Sequence, residues 1–545
     1  MEEGRGACEK PFYMMMFLGI AVMLLAADVC IAKPAHPHII LIVADDLAWD
    51  DVSFHGSNEI PTPNIDELAR DGVILHNYYV MPLCTPTRSA IMTGRHPIHL
   101  GLQHATIGGA TPYGLGLNET LISQLLKQQG YKTHIVGKWH LGMFAKEYLP
   151  LNRGFDTHFG YLLGHEDYWD HTAEDTPAYW GYDFQRNSQI YKPIFGQYGT
   201  DILTAEAKNI ITSHDPSQPL FLYLAQQAVH AGNSNRPLQA PEHYVQRFPH
   251  IKSKKRQIFA GMVSALDDSI GNIASYLKQT GLYQDSVIIF TTDNGGAGHG
   301  YDGSVGCNWP LRGMKSTPWE GGVRGVGFIN SPLLDQSQHV SEDLIHVSDW
   351  FPTMYRIAGG NVSTLGTKIY GMDVWDTVSR GAPSPREEIL LNIDPVSKYA
   401  ALRVGDYKVV IGDNDHGIWD GWFPPLGVSA DKDHGQGEAI HSSAVRSDAP
   451  PVVSCLLPRP SNASTNCKSF EKPCLFNIKN DPCEFYNIAD WNQDILAKLM
   501  ARLHQINATA VPPKNVPRDP KGNPKLHGGD WVPWVTLADA DLPDE

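Results

Sequence analysis

The sequence predicts an α/β protein: a large domain with a mostly parallel central sheet flanked by helices, then a smaller C-terminal domain with a short antiparallel sheet and one helix. Three observations predict it. Continuous apolar runs of strand length, such as His38–Ala44, Leu220–Ala225 and Ser286–Thr292, read as strands buried on both faces. Helical patterns alternate with them along the first two thirds of the chain. Near residue 395 the pattern changes to half-exposed alternation, and 545 residues, 42% of them hydrophobic, are too many for one ordinary core.

In chain order, residues 12–27 form an uninterrupted apolar run closed by Asp28, and Cys30-Ile31-Ala32 offers a small-residue cleavage site. Residues 1–32 therefore read as a secretory signal peptide; the run is short for a membrane span, and no later segment is apolar enough to cross one. Residues 33–395 form the expected catalytic domain. The His38–Ala44 strand ends in Asp45-Asp46, and Asn64–Arg70 follows with helical spacing. Leu121–Gln129 is a helix stopped by Gly130, and Tyr131–Val136 is a strand. After the Leu220–Ala225 strand comes a long helical pattern, Ile258–Gln279; Ser286–Thr292 then ends in Asp293-Asn294. Both acidic doublets close strands whose carboxyl ends should border the site.

Residues 396–545 make the expected small domain. Tyr399–Ile411 alternates around a turn at Gly405-Asp406, a Gly- and Asp-rich loop runs to about Pro451, Ile495–Ile506 is an amphipathic helix, and Val511–Glu545 is rich in Pro and Gly. Lys and Arg number 43 against 59 Asp and Glu, a net charge of −16, which argues against a nucleic-acid binder but not against anionic small molecules. Four N-x-S/T sequons, at Asn118, Asn361, Asn462 and Asn507, suit a glycosylated protein of the secretory pathway, lysosomal or extracellular. Of 8 Cys, Cys8 and Cys30 leave with the signal. Cys455, Cys467, Cys474 and Cys483 should form two disulfides; Cys474–Cys483 is the expected pair because the two bracket a strand and turn. Cys84 and Cys307 remain unpaired.

Cys84-Thr-Pro-Thr-Arg-Ser-Ala-Ile-Met-Thr-Gly-Arg95 is the most informative stretch. Thr85 reads as an N-cap, Pro86 suits a first helical turn and Gly94 a helix stop. That places Cys84 just outside a helix N-terminus, where backbone N–H groups attract anions, with Arg88 one turn further in. The bland alternative is a buried free Cys beside a structural Arg. A thiolate phosphatase would want a longer, Gly-rich loop between the two.

This Cys-x-Pro-x-Arg segment, continued to Thr93-Gly94, resembles the signature of type I sulfatases. Ile42–Leu47, Gly137-Lys-Trp-His-Leu-Gly142, Gln227-Ala-Val-His230, Thr292–Gly296 and Leu311–Lys315 with Trp319–Arg324 look like further sulfatase blocks, in family order. The arrangement is closest to the branch of arylsulfatase B (N-acetylgalactosamine-4-sulfatase) and arylsulfatases I and J.

The resemblance implies an alkaline-phosphatase-like fold and hydrolysis of sulfate esters, either aryl sulfates or sulfated sugars such as N-acetylgalactosamine 4-sulfate. It implies that Cys84 is converted to formylglycine by the formylglycine-generating enzyme, and that one Ca²⁺ is held by Asp45, Asp46, Cys84, Asp293 and Asn294. Four hard oxygen donors from two strand ends suit Ca²⁺ or Mg²⁺ better than zinc. Arg88 and Lys138 would hold the nucleophile and the sulfate, and His140 would assist proton removal. His230 and Lys315 would bind sulfate and protonate the leaving oxygen.

Asn308, Trp309 and Arg312 are candidates to shape the pocket, Glu320 and Arg324 to brace it as an ion pair. The rim is expected from Gly160–Tyr182, with His165, Tyr168, Trp169, His171, Tyr179 and Trp180, and from Asn233–Ala240. Two rival readings stay open: a formylglycine-dependent phosphonate or phosphate ester hydrolase on the same fold, and a secreted non-catalytic relative.

Overall fold

The computed structural model describes residues 34–425, 452–455 and 457–538. The expected signal peptide, with Cys8 and Cys30, and most of the Gly- and Asp-rich loop before Pro451 lie outside them. The large sheet has ten strands in the order His339–His346, Val73–Tyr79, Gly327–Asn330, Ser286–Thr292, His38–Ala44, Leu220–Ala225, Lys132–Gly137, Thr157–Gly160, Gln185–Arg186 and Gln189–Ile190. The five strands from Ser286–Thr292 to Thr157–Gly160 are mutually parallel; antiparallel pairs flank them on both sides.

Alternation along the central strands explains the layers. Ile40, Ile42 and Ala44 point to one side with Leu222, Leu224 and Phe290, against the long helix Lys254–Gln279 through Phe259, Met262, Leu266 and Ile270. Ile39, Leu41 and Val43 point to the other with Phe221, Tyr223 and Ile289, against helices Cys84–Thr93 and Trp350–Ile357. Each central strand is buried on both faces, as its unbroken apolar run requires.

The second sheet is antiparallel, in the order Glu388–Asp394, Tyr399–Val404, Tyr407–Ile411 and Cys474–Asn477. The amphipathic helix, Gln493–Asn507, lays Leu499 and Leu503 over Leu402, Val409 and Leu475. Lys408 ties the small sheet to the helix Glu320–Val323: its amine, wholly buried, lies 2.9 Å from Glu320 and 2.8 Å from Glu484. Arg324 stands 3.7 Å from Glu320, so the expected pair exists, but it belongs to this larger network.

The disulfides are Cys455–Cys483 and Cys467–Cys474, which corrects the expected Cys474–Cys483 pair. Cys474 opens a strand and packs with Val410 and Phe476, whereas Cys483, beyond the next turn, packs with Trp422 and Phe485. The intervening turn sends the two sulfurs into different clusters.

The Pro-rich tail is not a separate appendage. Val511 and Lys514 donate backbone hydrogen bonds to Ile98 and Gly101, and Trp531 is fully buried in the large domain, its Nε1 donating to Ala173 O at 3.0 Å. All four sequon asparagines are exposed. Among the described residues no helix is long and apolar enough to cross a membrane.

Candidate active site

Strand register assembles the centre. Ala44 lies opposite Thr292, and Ala225 lies opposite Val43 on one side and Gly137 on the other. Four neighbouring parallel strands therefore end together, and the residues that follow them, Asp45-Asp46, Asp293-Asn294, Lys138–His140 and Gln226–His230, emerge at one edge. Asp46 and His140 both turn there with φ of 57°, a left-handed backbone in which few side chains other than Asn, Asp and His are at ease. The amino end of the Cys84–Thr93 helix faces the same edge.

That helix begins at Cys84 rather than after it, and Leu83, not Thr85, is the N-cap. The Thr85 hydroxyl is used elsewhere: it donates to His140 O at 3.1 Å and accepts from Ile107 N at 3.2 Å, tying two site loops to the helix. Gly94 closes the helix in the left-handed conformation its sequence suggests, with φ of 65°.

The buried centre opposes three carboxylates to three cations. Arg88 donates twice to Asp293 Oδ2, at 3.1 and 2.8 Å, and lies 3.5 Å from Asp45. Lys138 Nζ is 2.6 Å from Asp45, and Lys315 Nζ is 2.8 Å from Asp46 and 3.2 Å from Asp302. Cys84 Sγ is 3.7 Å from Asp45 Oδ1. Burial and the neighbouring Asp293 raise Asp45 to about 7 despite Lys138 and Arg88. Burial alone would raise Asp293 too, but Arg88, Lys138 and Lys315 outweigh it and hold that carboxyl below the usual range. Burial also pushes the Cys84 thiol well up, so the encoded side chain is a poor thiolate nucleophile.

The two central histidines are both held neutral, first by burial and then by adjacent cations. His230 Nδ1 is 2.7 Å from Ala231 O and so carries the proton; Nε2 then accepts from Lys315 Nζ at 3.1 Å. Tyr168 fixes this segment by donating to His230 O at 2.8 Å. His140 Nε2 donates to Ile107 O at 3.1 Å, leaving Nδ1 buried and without a partner.

The donor set fits a hard cation. Ligand atoms of Asp45, Asp46, Cys84 and His230 all lie within 4.8 Å of one another. Asn294 adds a more specific sign: its Nδ2 donates to Asp46 Oδ1 at 2.7 Å and to Gly295 O, while its Oδ1 is buried without a partner. An orphan amide oxygen among converging carboxylates suits an oxygen-seeking ion. His230 belongs to the same cluster, 3.6 Å from Asp46, but its Nε2 lone pair is already engaged by Lys315.

Cys84, His140, His230 and Lys315 form the floor of a cavity of about 760 Å³. Its outer wall differs from the expected aromatic rim. Of the aromatic and histidine residues anticipated in Gly160–Tyr182, only His165 lines it, stacked on His230 at 5.5 Å between ring centroids. Tyr168 and His171 are buried behind the wall. Ser234 and Pro237 contribute from the second expected loop. Asn308 clamps Gly296 through both amide atoms, and Arg312 stacks 3.5 Å over Trp319, so both support the floor from outside it. Sequence reasoning missed Tyr301, Asp302 and, on the tail, Asn515 and Arg518, which also line the cavity. No local motif marks them.

The chain resembles known proteins over most of its length. Residues 37–360 match the family model Sulfatase. The chain is 42% identical over 508 residues to mouse arylsulfatase J, covering 92% of this chain and 81% of that protein. It is 32% identical to mouse N-acetylgalactosamine-6-sulfatase, covering 74% and 76% of the two chains. The crystal structure of Ps i-CgsB in complex with k-i-k-neocarrahexaose superposes with a TM-score of 0.70 at 26% identity, covering 90% of this chain and 98% of that one.

Proposed function

The chain belongs to the sulfatase family and is a sulfuric ester hydrolase; from that premise we propose that it hydrolyses the sulfate monoester of a sugar or aryl alcohol at the Cys84 cavity. The observation that carries the reading is the convergence, at one strand edge, of a buried helix-terminal Cys84 with three cations, two neutral histidines and a carboxylate-amide cluster. The relative named N-acetylgalactosamine-6-sulfatase, the similar structure bound to neocarrahexaose and a cavity large enough for a sugar support the substrate class.

Each residue has a role consistent with its contacts. Arg88 and Lys138 hold Asp293 and Asp45 in place and present positive charge beneath the sulfate. His140, with Nε2 tied to Ile107 O, keeps Nδ1 as a basic atom that can take a proton from residue 84. Lys315 carries the proton that it shares with His230 Nε2, so the pair can deliver a proton to the leaving oxygen. As hydrated formylglycine, residue 84 supplies two hydroxyls on one carbon, one to attack sulfur and one to help expel sulfate. Asp45, Asp46, Asp293, Asn294 and residue 84 would hold one Ca²⁺, which would offset the repulsion between these carboxylates and an incoming sulfate.

Residues that follow the central strands carry this chemistry, and the tail closes the cavity; the small sheet already begins at Glu388, ahead of the expected boundary at 395. Disulfides and exposed sequons support a secretory route, lysosomal or extracellular, in which the formylglycine-generating enzyme can act on Cys84. The test is mass spectrometry of the Cys84 peptide from secreted protein beside a fluorogenic aryl sulfate assay. An aldehyde at residue 84 with turnover is expected. Turnover with an intact thiol would overturn the assigned nucleophile.

A further inference from the structure

The outer wall of the cavity bears on which sulfate ester enters. Residues 298–306 form a tight loop closed by a bridge between Gly298 and Gly306 and by hydrogen bonds from Gly300 N to Ser304 O and from Gly306 N to Ala297 O. His299, Gly300, Asp302 and Gly303 all have positive φ, which turns the chain back on itself within these few residues. It holds Tyr301 and Asp302 in the cavity wall.

Asp302 is the outward counterpart of Asp46. Both carboxylates bond the Lys315 amine, but Asp46 is wholly buried beneath it whereas the Asp302 side chain is 46% exposed toward the cavity mouth. Lys315 also bonds His230, so Asp302 stands beside the pair that serves the leaving oxygen. The other charged groups of the wall are engaged. Glu174 Oε2 accepts from Ser234 N and Oγ, and Asp175 accepts two hydrogen bonds from Arg518 and one from Ala110 N. Three carboxylates thus face the mouth, with Arg518 as their only cation outside the catalytic Lys315 among the cavity-lining residues.

We propose that Asp302 is a specificity-determining residue: it accepts a hydrogen bond from a free hydroxyl next to the sulfate-bearing carbon, and it disfavours substrates that carry a second anion at that neighbouring position. The proposal rests on the sulfate-ester reading of the cavity. Its physical content is that a carboxylate acceptor binds a hydroxyl strongly, while a second sulfate at the same place meets like charge across a partly desolvated gap. The substrate class is a monosulfated polyol or sugar with an unsulfated vicinal hydroxyl.

The experiment compares kcat/KM of the secreted enzyme on a fluorogenic aryl sulfate, a sugar monosulfate with a free vicinal hydroxyl, and the same sugar sulfated at both positions. Wild type should favour the monosulfate by roughly tenfold or more, the order expected for one like-charge contact at a half-exposed site. Asp302→Asn keeps an acceptor and suits the left-handed backbone, so it should bring that ratio close to one by gaining on the disulfate. Asp302→Ala should lose chiefly on the monosulfate. A wild-type ratio near one, or a ratio unmoved in both variants, overturns the proposal even where the aryl sulfate is turned over. Failure of wild type on all three substrates overturns the sulfate-ester reading itself and the proposal with it.

Discussion

The floor and the outer wall of the cavity are built in opposite ways. Directly beneath the floor, Asp45, Arg88, Lys138 and Asp293 are fully buried, and they are set by four parallel strands in fixed register with one helix packed across them. On the wall, Asp302 and Arg518 are nearly half exposed and come from a loop and from the tail, more than 200 residues apart. The floor holds its groups more firmly than a loop could, because a shift would break sheet hydrogen bonds. The wall is held by loop and tail contacts instead, and it meets the floor where Asp302 bonds Lys315. The reacting groups are thereby fixed by sheet register, whereas the wall is fixed by loop and tail contacts.

The sharpest way to break this contrast is at the floor. Cys84→Ala should fold and be secreted yet lose turnover by on the order of 10³-fold or more, read as kcat on an aryl sulfate. Residual activity within tenfold of wild type would remove Cys84 from the reaction.

Next in size are Lys315→Ala and His230→Ala. If they serve the leaving oxygen, the loss should be on the order of 10²–10⁴-fold for alkyl or sugar sulfates and much less for aryl sulfates with acidic phenols. A leaving-group series showing equal losses would assign the pair to binding alone.

Asp293→Ala leaves Arg88 buried with Asp45, at 3.5 Å, as its nearest remaining carboxylate, which should cost about 3–5 kcal/mol and lower Tm. Chelation should lower both Tm and activity of wild type, and Asp293→Asn should be milder because it keeps an oxygen donor. Elemental analysis checks the premise: one Ca²⁺ per chain is expected, and two metals or stoichiometric zinc would point to phosphatase-like chemistry.

The smallest effect belongs to the wall. Arg518→Ala breaks a pair with Asp175 that is half screened by solvent, so stability should change by less than about 1 kcal/mol. KM for an extended glycan sulfate should move by a few-fold, with little change in kcat. A large fall in kcat would mean that Arg518, too, acts on the groups of the floor.

Much of the floor was legible in the sequence. Unbroken apolar runs identified the central strands, and Asp45-Asp46 and Asp293-Asn294 stand where such strands end, so their chemistry could be anticipated from spacing and resemblance. Thr85 was misread as a cap because a local rule for helix starts competes with a tertiary demand: its hydroxyl is needed by His140 and Ile107. The Cys474–Cys483 expectation failed for a related reason. Nearness in sequence says nothing about which hydrophobic cluster receives each sulfur, and a single turn sends them to different ones.

By itself, then, the sequence determined the elements whose formation depends on local pattern: the doubly buried strands, the helix carrying Cys84 and Arg88, and the strand-end carboxylates. Tertiary structure alone decided the disulfide pairing, the proton on Lys315 shared with His230, the orphan oxygen of Asn294 and the wall formed by Asp302 and Arg518. The physical reason is range. Backbone periodicity and capping act over a few residues and leave a mark in the chain, whereas contacts between segments hundreds of residues apart depend on the sheet register and on the tail packing Trp531 into the core beside the large sheet.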